Sequence, residues 1–270
     1  MTGLVEGKSI IVTGGGRGIG EGIARDLAAE GGRIVVADID LAAAERVAAA
    51  IRQDKGEAIA AQVDVAERKS VQAMIKEAVR AFGRLDVMFN NAGISKAGQF
   101  LEATEADWAR IMGINGLGVL IGMQEAAKQM IAQGGGGKIV NIASGSWKTA
   151  RVGAAAYCAS KAGVVMLTAV LAMELGPHRI NVNAVAPGLI NVPREQSTQR
   201  GRAYRDATVK LTPWGRMGTP EEVANVVLML CTLQAEYVTG AVVGVDGGLS
   251  LGRYGIPVGE WPGQPAAGTS

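Results

Sequence analysis

Short runs rich in Val and Ile alternate with longer helical patterns from one end of this chain to the other, and that alternation most restricts its fold. Ser9 to Thr13 and Arg33 to Asp38 read as the first two strands, with further candidates at 58–63, 85–89, 138–143, 180–185 and 241–245. Helical periodicity occupies about 19–30, 41–54, 67–81, 106–132, 152–176 and 220–232. Near-continuous apolar strands separated by helices predict a parallel sheet covered on both faces. The expected class is α/β: a single-domain, Rossmann-type, doubly wound sheet of about seven strands. At 270 residues the chain is long enough for one large core.

The first strand runs into Thr13-Gly14-Gly15-Gly16-Arg17-Gly18-Ile19-Gly20, which opens a helix. Glycines there let the backbone turn tightly and approach a pyrophosphate, while the helix start supplies amide donors. Strand, glycines and helix in that order predict a nucleotide cradle using Gly14, Arg17, Gly18, Ile19 and Gly20. Asp38 closes the second strand, where a carboxylate accepts both ribose hydroxyls and repels a 2′-phosphate, favouring NAD over NADP. Arg17 works mildly against that, since a cation in the loop also suits a phosphate. Asp64 and Val65 follow the third strand; Asp64 meets the adenine edge or caps the next helix.

Tyr157 and Lys161 stand four residues apart, on one helix face, with Ser144 upstream at the end of an apolar run. A free phenol has a pKa of about 10, and a fixed cation beside it favours phenolate and makes it a usable base. Taken alone, Tyr-x-x-x-Lys is a weak signal that surface helices also carry. Candidate pocket positions are Ser146, Trp147, Val152 and the arginine-rich stretch 189–216, which reads either as a substrate lid or as a surface excursion. Trp147 offers a flat wall or simply packs. Arg151, Arg194, Arg200 and Arg202 are candidates to meet an anionic substrate.

In order and spacing these residues resemble the classical short-chain dehydrogenase/reductase family across residues 5–250. The resemblance rests on Thr13-Gly14-x-x-x-Gly18-x-Gly20, Asp64, Asn90-Asn91-Ala92-Gly93, Asn115, Ser144, Tyr157 with Lys161, and Pro187-Gly188. It implies a seven-stranded Rossmann-type sheet, assembled as a homotetramer or homodimer. It implies Tyr157 as acid/base, Ser144 holding the substrate oxygen, Lys161 on the nicotinamide ribose, and Asn115 anchoring a relay water. Asn91, Ala92 and Gly93 would line the adenosine side, and Pro187, Gly188, Ile190 and Val192 the nicotinamide end. Val245-Asp246-Gly247-Gly248 would pack against a partner subunit. Val192 stands where the family often has a threonine on the carboxamide.

The expected activity is NAD-dependent interconversion of a secondary alcohol (diol, polyol or cyclic) and its ketone. The alternatives are a 3-oxoacyl-thioester reductase and a non-catalytic nucleotide-binding regulator. A net charge of +2 with no Lys/Arg cluster gives no footprint for nucleic acid. Apolar stretches are interrupted before membrane-spanning length, so no membrane partner is expected. Two cysteines, Cys158 and Cys231, suit a reducing cytoplasm, and one histidine, His178, gives no basis for a metal site. Residues 1–252 are expected to form the catalytic domain and 253–270 a tail.

Overall fold

A computed structural model describes residues 3–192 and 199–252. Seven parallel strands form one sheet in the order β3-β2-β1-β4-β5-β6-β7. They are β1 Ser9–Thr13, β2 Arg33–Asp38, β3 Glu57–Gln62, β4 Val87–Asn90, β5 Gly137–Ile142, β6 Ile180–Pro187 and β7 Val242–Val245. The helices are α1 Gly18–Ala29, α2 Leu41–Gln53, α3 Arg68–Phe82, α4 Glu105–Met112, α5 Gly118–Gln133, α6 Ala155–Leu175, α7 Gln199–Leu211 and α8 Pro220–Cys231.

The strand period of two assigns each side chain to a layer. Ile10 and Val12 join Ile23 and Leu27 of α1, Val47 of α2 and Val227 of α8 in one buried cluster. Ile11 between them points the other way, to Met74 of α3, Met123 of α5 and Val164 of α6. Each such fully buried aliphatic side chain contributes about 1.5–3 kcal/mol, which offsets the poor helix propensity of the glycines in α1. The strand order reverses between β1 and β4, and the crevice beyond their carboxyl ends is where this topology leaves room for a ligand.

Three features depart from the sequence expectation. The stretch 106–132 is not one helix: a π-helical turn, Gly113–Leu117, separates α4 from α5. The stretch 189–216 is not a loop throughout, because α7 occupies half of it. The span Ala155–His178 is apolar and long enough, by length and composition, to cross a membrane. In this fold it covers the sheet, with Val164 and Ala172 buried against it and Met166 and Met173 exposed. Arg194, the side chain of Arg200 and the tail 253–270 lie outside the described residues.

Candidate active site

At the switch point, Thr13 at the end of β1 ties the two halves of the sheet together. Its hydroxyl donates to the Phe89 carbonyl and accepts from the amides of Asn91 (3.0 Å) and Ala92 (3.2 Å). Asn91 Nδ2 donates back to the Thr13 and Gly14 carbonyls at 2.9 and 3.1 Å. Gly14 and Gly18 adopt φ of +63° and +58°, in the left-handed region that favours glycine. At Gly20 a Cβ would collide with the Gly14 carbonyl oxygen and lie 2.6 Å from Asn91 Nδ2. The turn is therefore a cradle that side chains would fill. Helix α1 starts at the extended Arg17 without a side-chain cap, so its first amides are left for an incoming acceptor.

Asp38, buried at the end of β2, accepts from the Gly16 amide (3.1 Å) through Oδ2 and from the Asp40 amide (3.1 Å) through Oδ1. Arg17 Nη2 lies 3.7 Å from Asp38 Oδ1 and 3.5 Å from Asp40 Oδ2. Asp64 is exposed after β3, and its Oδ1 accepts from the Ala66 amide in a local turn rather than capping α3, whose N-cap residue is Glu67. Val65 packs on Gly118 at the start of α5, where a Cβ would come within 2.9 Å of it. Across the crevice, Val192 sits over Gly18, and Ile190 is buried by a bridge to Gly218. Gly188 is required because any Cβ would approach Asp246 to 2.6 Å.

The polar set lies on the same side of the sheet. Lys161 is 3% exposed, and its Nζ donates to the Ile142 carbonyl at 2.7 Å and stands 5.8 Å from the centre of the Tyr157 ring. Burial pushes its pKa down to about 8. Gly93 brings the β4 loop to the pair: a Cβ there would lie 3.3 Å from Asn115 Oδ1 and 3.7 Å from Lys161 Nζ. Asn115, fully buried in the π-helical turn, exchanges two 2.9 Å hydrogen bonds with the Ile94 backbone and donates to Ser160 Oγ at 3.1 Å. Ser160 in turn donates to the Tyr157 carbonyl at 2.7 Å. Ser144, half-buried after β5, accepts from the Ser146 amide at 3.2 Å.

One participant, Ser160, escapes sequence reasoning, and two residues named there, Thr13 and Arg151, have contacts that the sequence does not give. Thr13 and Ser160 are knots of the network, and the only sequence trace of Ser160 is its position three residues after Tyr157. Arg151 lies over Tyr157, with Cζ 5.0 Å from the ring centre, and donates to Ser95 Oγ at 2.8 Å. Trp147 packs against Ala143, Ala184 and Ala186 with Val165 and Val242, while Val152 is fully exposed.

A protein-family model described as enoyl-(acyl carrier protein) reductase, of the short-chain alcohol dehydrogenase type, matches residues 14–250. The chain belongs to the short-chain dehydrogenase/reductase family. Among relatives in this family, a 3-oxoacyl-(acyl-carrier-protein) reductase of Thermotoga maritima is 35% identical over 92% of this chain and 99% of its own. A sorbitol dehydrogenase of Cereibacter sphaeroides is 35% identical over 90% and 98%. A solved mutant of a Serratia marcescens short-chain dehydrogenase/reductase superposes with a TM-score of 0.85 at 36% identity, covering 92% of this chain and 99% of that one. The chain is thus an oxidoreductase of a family that uses nicotinamide cofactors.

Proposed function

We propose that this oxidoreductase uses NAD to interconvert a secondary alcohol (a diol, polyol or cyclic alcohol) and its ketone. The observation that carries the reading is the buried Lys161 ammonium beside the Tyr157 ring, on a helix that faces the glycine turn through Gly93 and Asn91. The uncapped start of α1 and the glycine cradle fit a pyrophosphate, and Asp38 suits an unphosphorylated ribose. Each Asp38 oxygen keeps a lone pair for a ribose hydroxyl, and a 2′-phosphate would face Asp38 and Asp40 together. When bound, the cofactor supplies the hydride acceptor or donor.

The chain's own residues manage the proton. In the oxidising direction the Tyr157 phenolate takes the proton of the substrate hydroxyl. Ser144 Oγ donates to the same oxygen and steadies the charge that develops on it. Lys161 favours the phenolate by Coulomb attraction, and the remaining lone pair of Asn115 Oδ1 holds a relay water. Helix α7 and the residues after it to Arg216 serve as the substrate lid. The exposed apolar side chains Met166 and Met173 of α6 and Ile131 of α5 support assembly as a homotetramer. Free Cys158 and Cys231 fit the cytoplasm.

The test is absorbance at 340 nm with NAD or NADP and a panel of polyols and ring alcohols. Tyr157→Phe is expected to lower kcat by about 1,000-fold while calorimetry shows NAD affinity within about threefold. Ordinary turnover in that variant removes Tyr157 from its role. The Thermotoga relative favours a second reading, reduction of a 3-oxoacyl thioester. Faster turnover of an acyl thioester than of any polyol, run side by side, would select it.

A further inference from the structure

Arg151 differs from most other cations around the crevice. Arg17 lies beside Asp38 and Asp40, Arg46 pairs with Glu21, Arg216 with Glu222, and Lys96 with Asp107. Among the described residues no carboxylate comes within ion-pair distance of Arg151. It is nevertheless held in place. Its Nη2 donates to Ser95 on the segment after β4, its Cζ lies over the Tyr157 ring, and its own loop is fastened to that segment by the Gly98 amide on the Gly153 carbonyl at 3.0 Å. Gly153 has φ of +76°, and a Cβ there would meet the Gly98 carbonyl oxygen at 3.0 Å, so the two loops meet closely.

A guanidinium carries five N–H donors in a planar fork that matches a carboxylate. Ser95 uses one of them. The ring that Arg151 covers belongs to the residue whose hydroxyl meets the substrate oxygen, so an anionic group a few bonds from the carbinol carbon comes within reach of the remaining donors. Arg151 itself is half-buried while its bond to Ser95 is exposed, so a carboxylate there would form a charge-assisted contact at the rim of the crevice.

We infer that Arg151 is a specificity-determining residue and that the substrate is a hydroxy acid, with Arg151 binding a carboxylate close to the alcohol being oxidised. The inference rests on the alcohol reading above and narrows it. The phosphates of an acyl-thioester carrier lie too many bonds from the reacting carbonyl to meet a cation this near Tyr157.

The experiment compares kcat/KM with NAD for hydroxy acids and their neutral primary amides, in wild type, Arg151→Gln and Arg151→Lys. Wild type is expected to prefer the acid by about 30-fold, mostly through KM, as for a charge-assisted pair. In Arg151→Gln the ratio falls towards one, and Arg151→Lys recovers part of it. A wild-type ratio near one overturns the inference with no variant needed, and so does a ratio that Arg151→Gln leaves in place. Turnover of the neutral amides and polyols in either case keeps the alcohol reading intact. Silence with every alcohol, charged or neutral, overturns both.

Discussion

Helices α1 and α8 lie side by side, with Gly22 of α1 facing Pro220 of α8, where a Cβ would come within 2.7 Å of the proline Cβ. They begin in opposite ways. At α8 the Thr219 hydroxyl accepts from the Glu222 amide, the Glu222 carboxylate accepts from the Thr219 amide, and Pro220 removes a donor altogether. At α1 the residue before the first turn is an extended arginine whose side chain offers no acceptor, with Gly18 after it and Gly14 three residues before it in left-handed backbone. The start of α8 is closed by its own side chains, while other starts, those of α3 and α6 among them, are left without a side-chain cap. One left open, inside a turn too tight for Cβ atoms, has its donors reserved for something else.

The sharpest way to break this contrast is Gly20→Ala. Its Cβ would strike the Gly14 carbonyl and displace Asn91, so stability should fall by about 2 kcal/mol and NAD affinity by about 100-fold. Denaturant melts and calorimetry measure both, and unchanged NAD affinity would show that the turn is not a cradle. Next, Asp38→Ala should narrow the NAD over NADP preference in kcat/KM about tenfold, the worth of a hydrogen bond to a charged group. A fixed ratio would mean that Asp38 does not read the ribose.

At the closed end, Thr219→Ala should cost about 1 kcal/mol of stability and leave NAD affinity within about twofold. A large change in affinity would erase the distinction between the two starts. The smallest effect concerns acid. The hydrogen bond from Arg216 holds the Glu222 carboxyl at about 2, below its ordinary 4.5. Because the folded value is the lower one, its contribution is complete above about pH 4.5 and is lost as pH falls through 2. The melting deficit of Glu222→Gln should therefore be present at pH 6 and shrink towards pH 2. A deficit independent of pH would assign the effect to packing.

How far the sequence reaches depends on how local the determining contacts are. The β1, β2 and α6 segments are legible because apolar periodicity is a property of neighbouring residues, and α6 does contain both Tyr157 and Lys161. The π-helical turn is not, since a periodic apolar pattern runs through it; Gly113, Gly116 and Gly118 around Asn115 are its only trace. Helix α7 is polar and arginine-rich, and its pattern gives no apolar stripe to find. Within the candidate site, the spacing of glycines and of Tyr157 with Lys161 is local. The bonds from Arg151 to Ser95 and from Asn115 to Ser160 join residues 56 and 45 positions apart, and no window of sequence records such pairings.

The widened turn at 113–117 carries a consequence for how this protein can change length. Removing one residue there would restore a smooth α-helical rod from α4 into α5, with no bond unmade along it. Because the wide turn holds one extra residue within a single revolution, everything beyond would keep its face and Met123 and Met130 would stay on the sheet, but the Asn115 carboxamide would turn away from Ile94. A deletion harmless to helix and core would therefore still dismantle the network, since the extra residue is what gives Asn115 its bonds to Ile94 and Ser160.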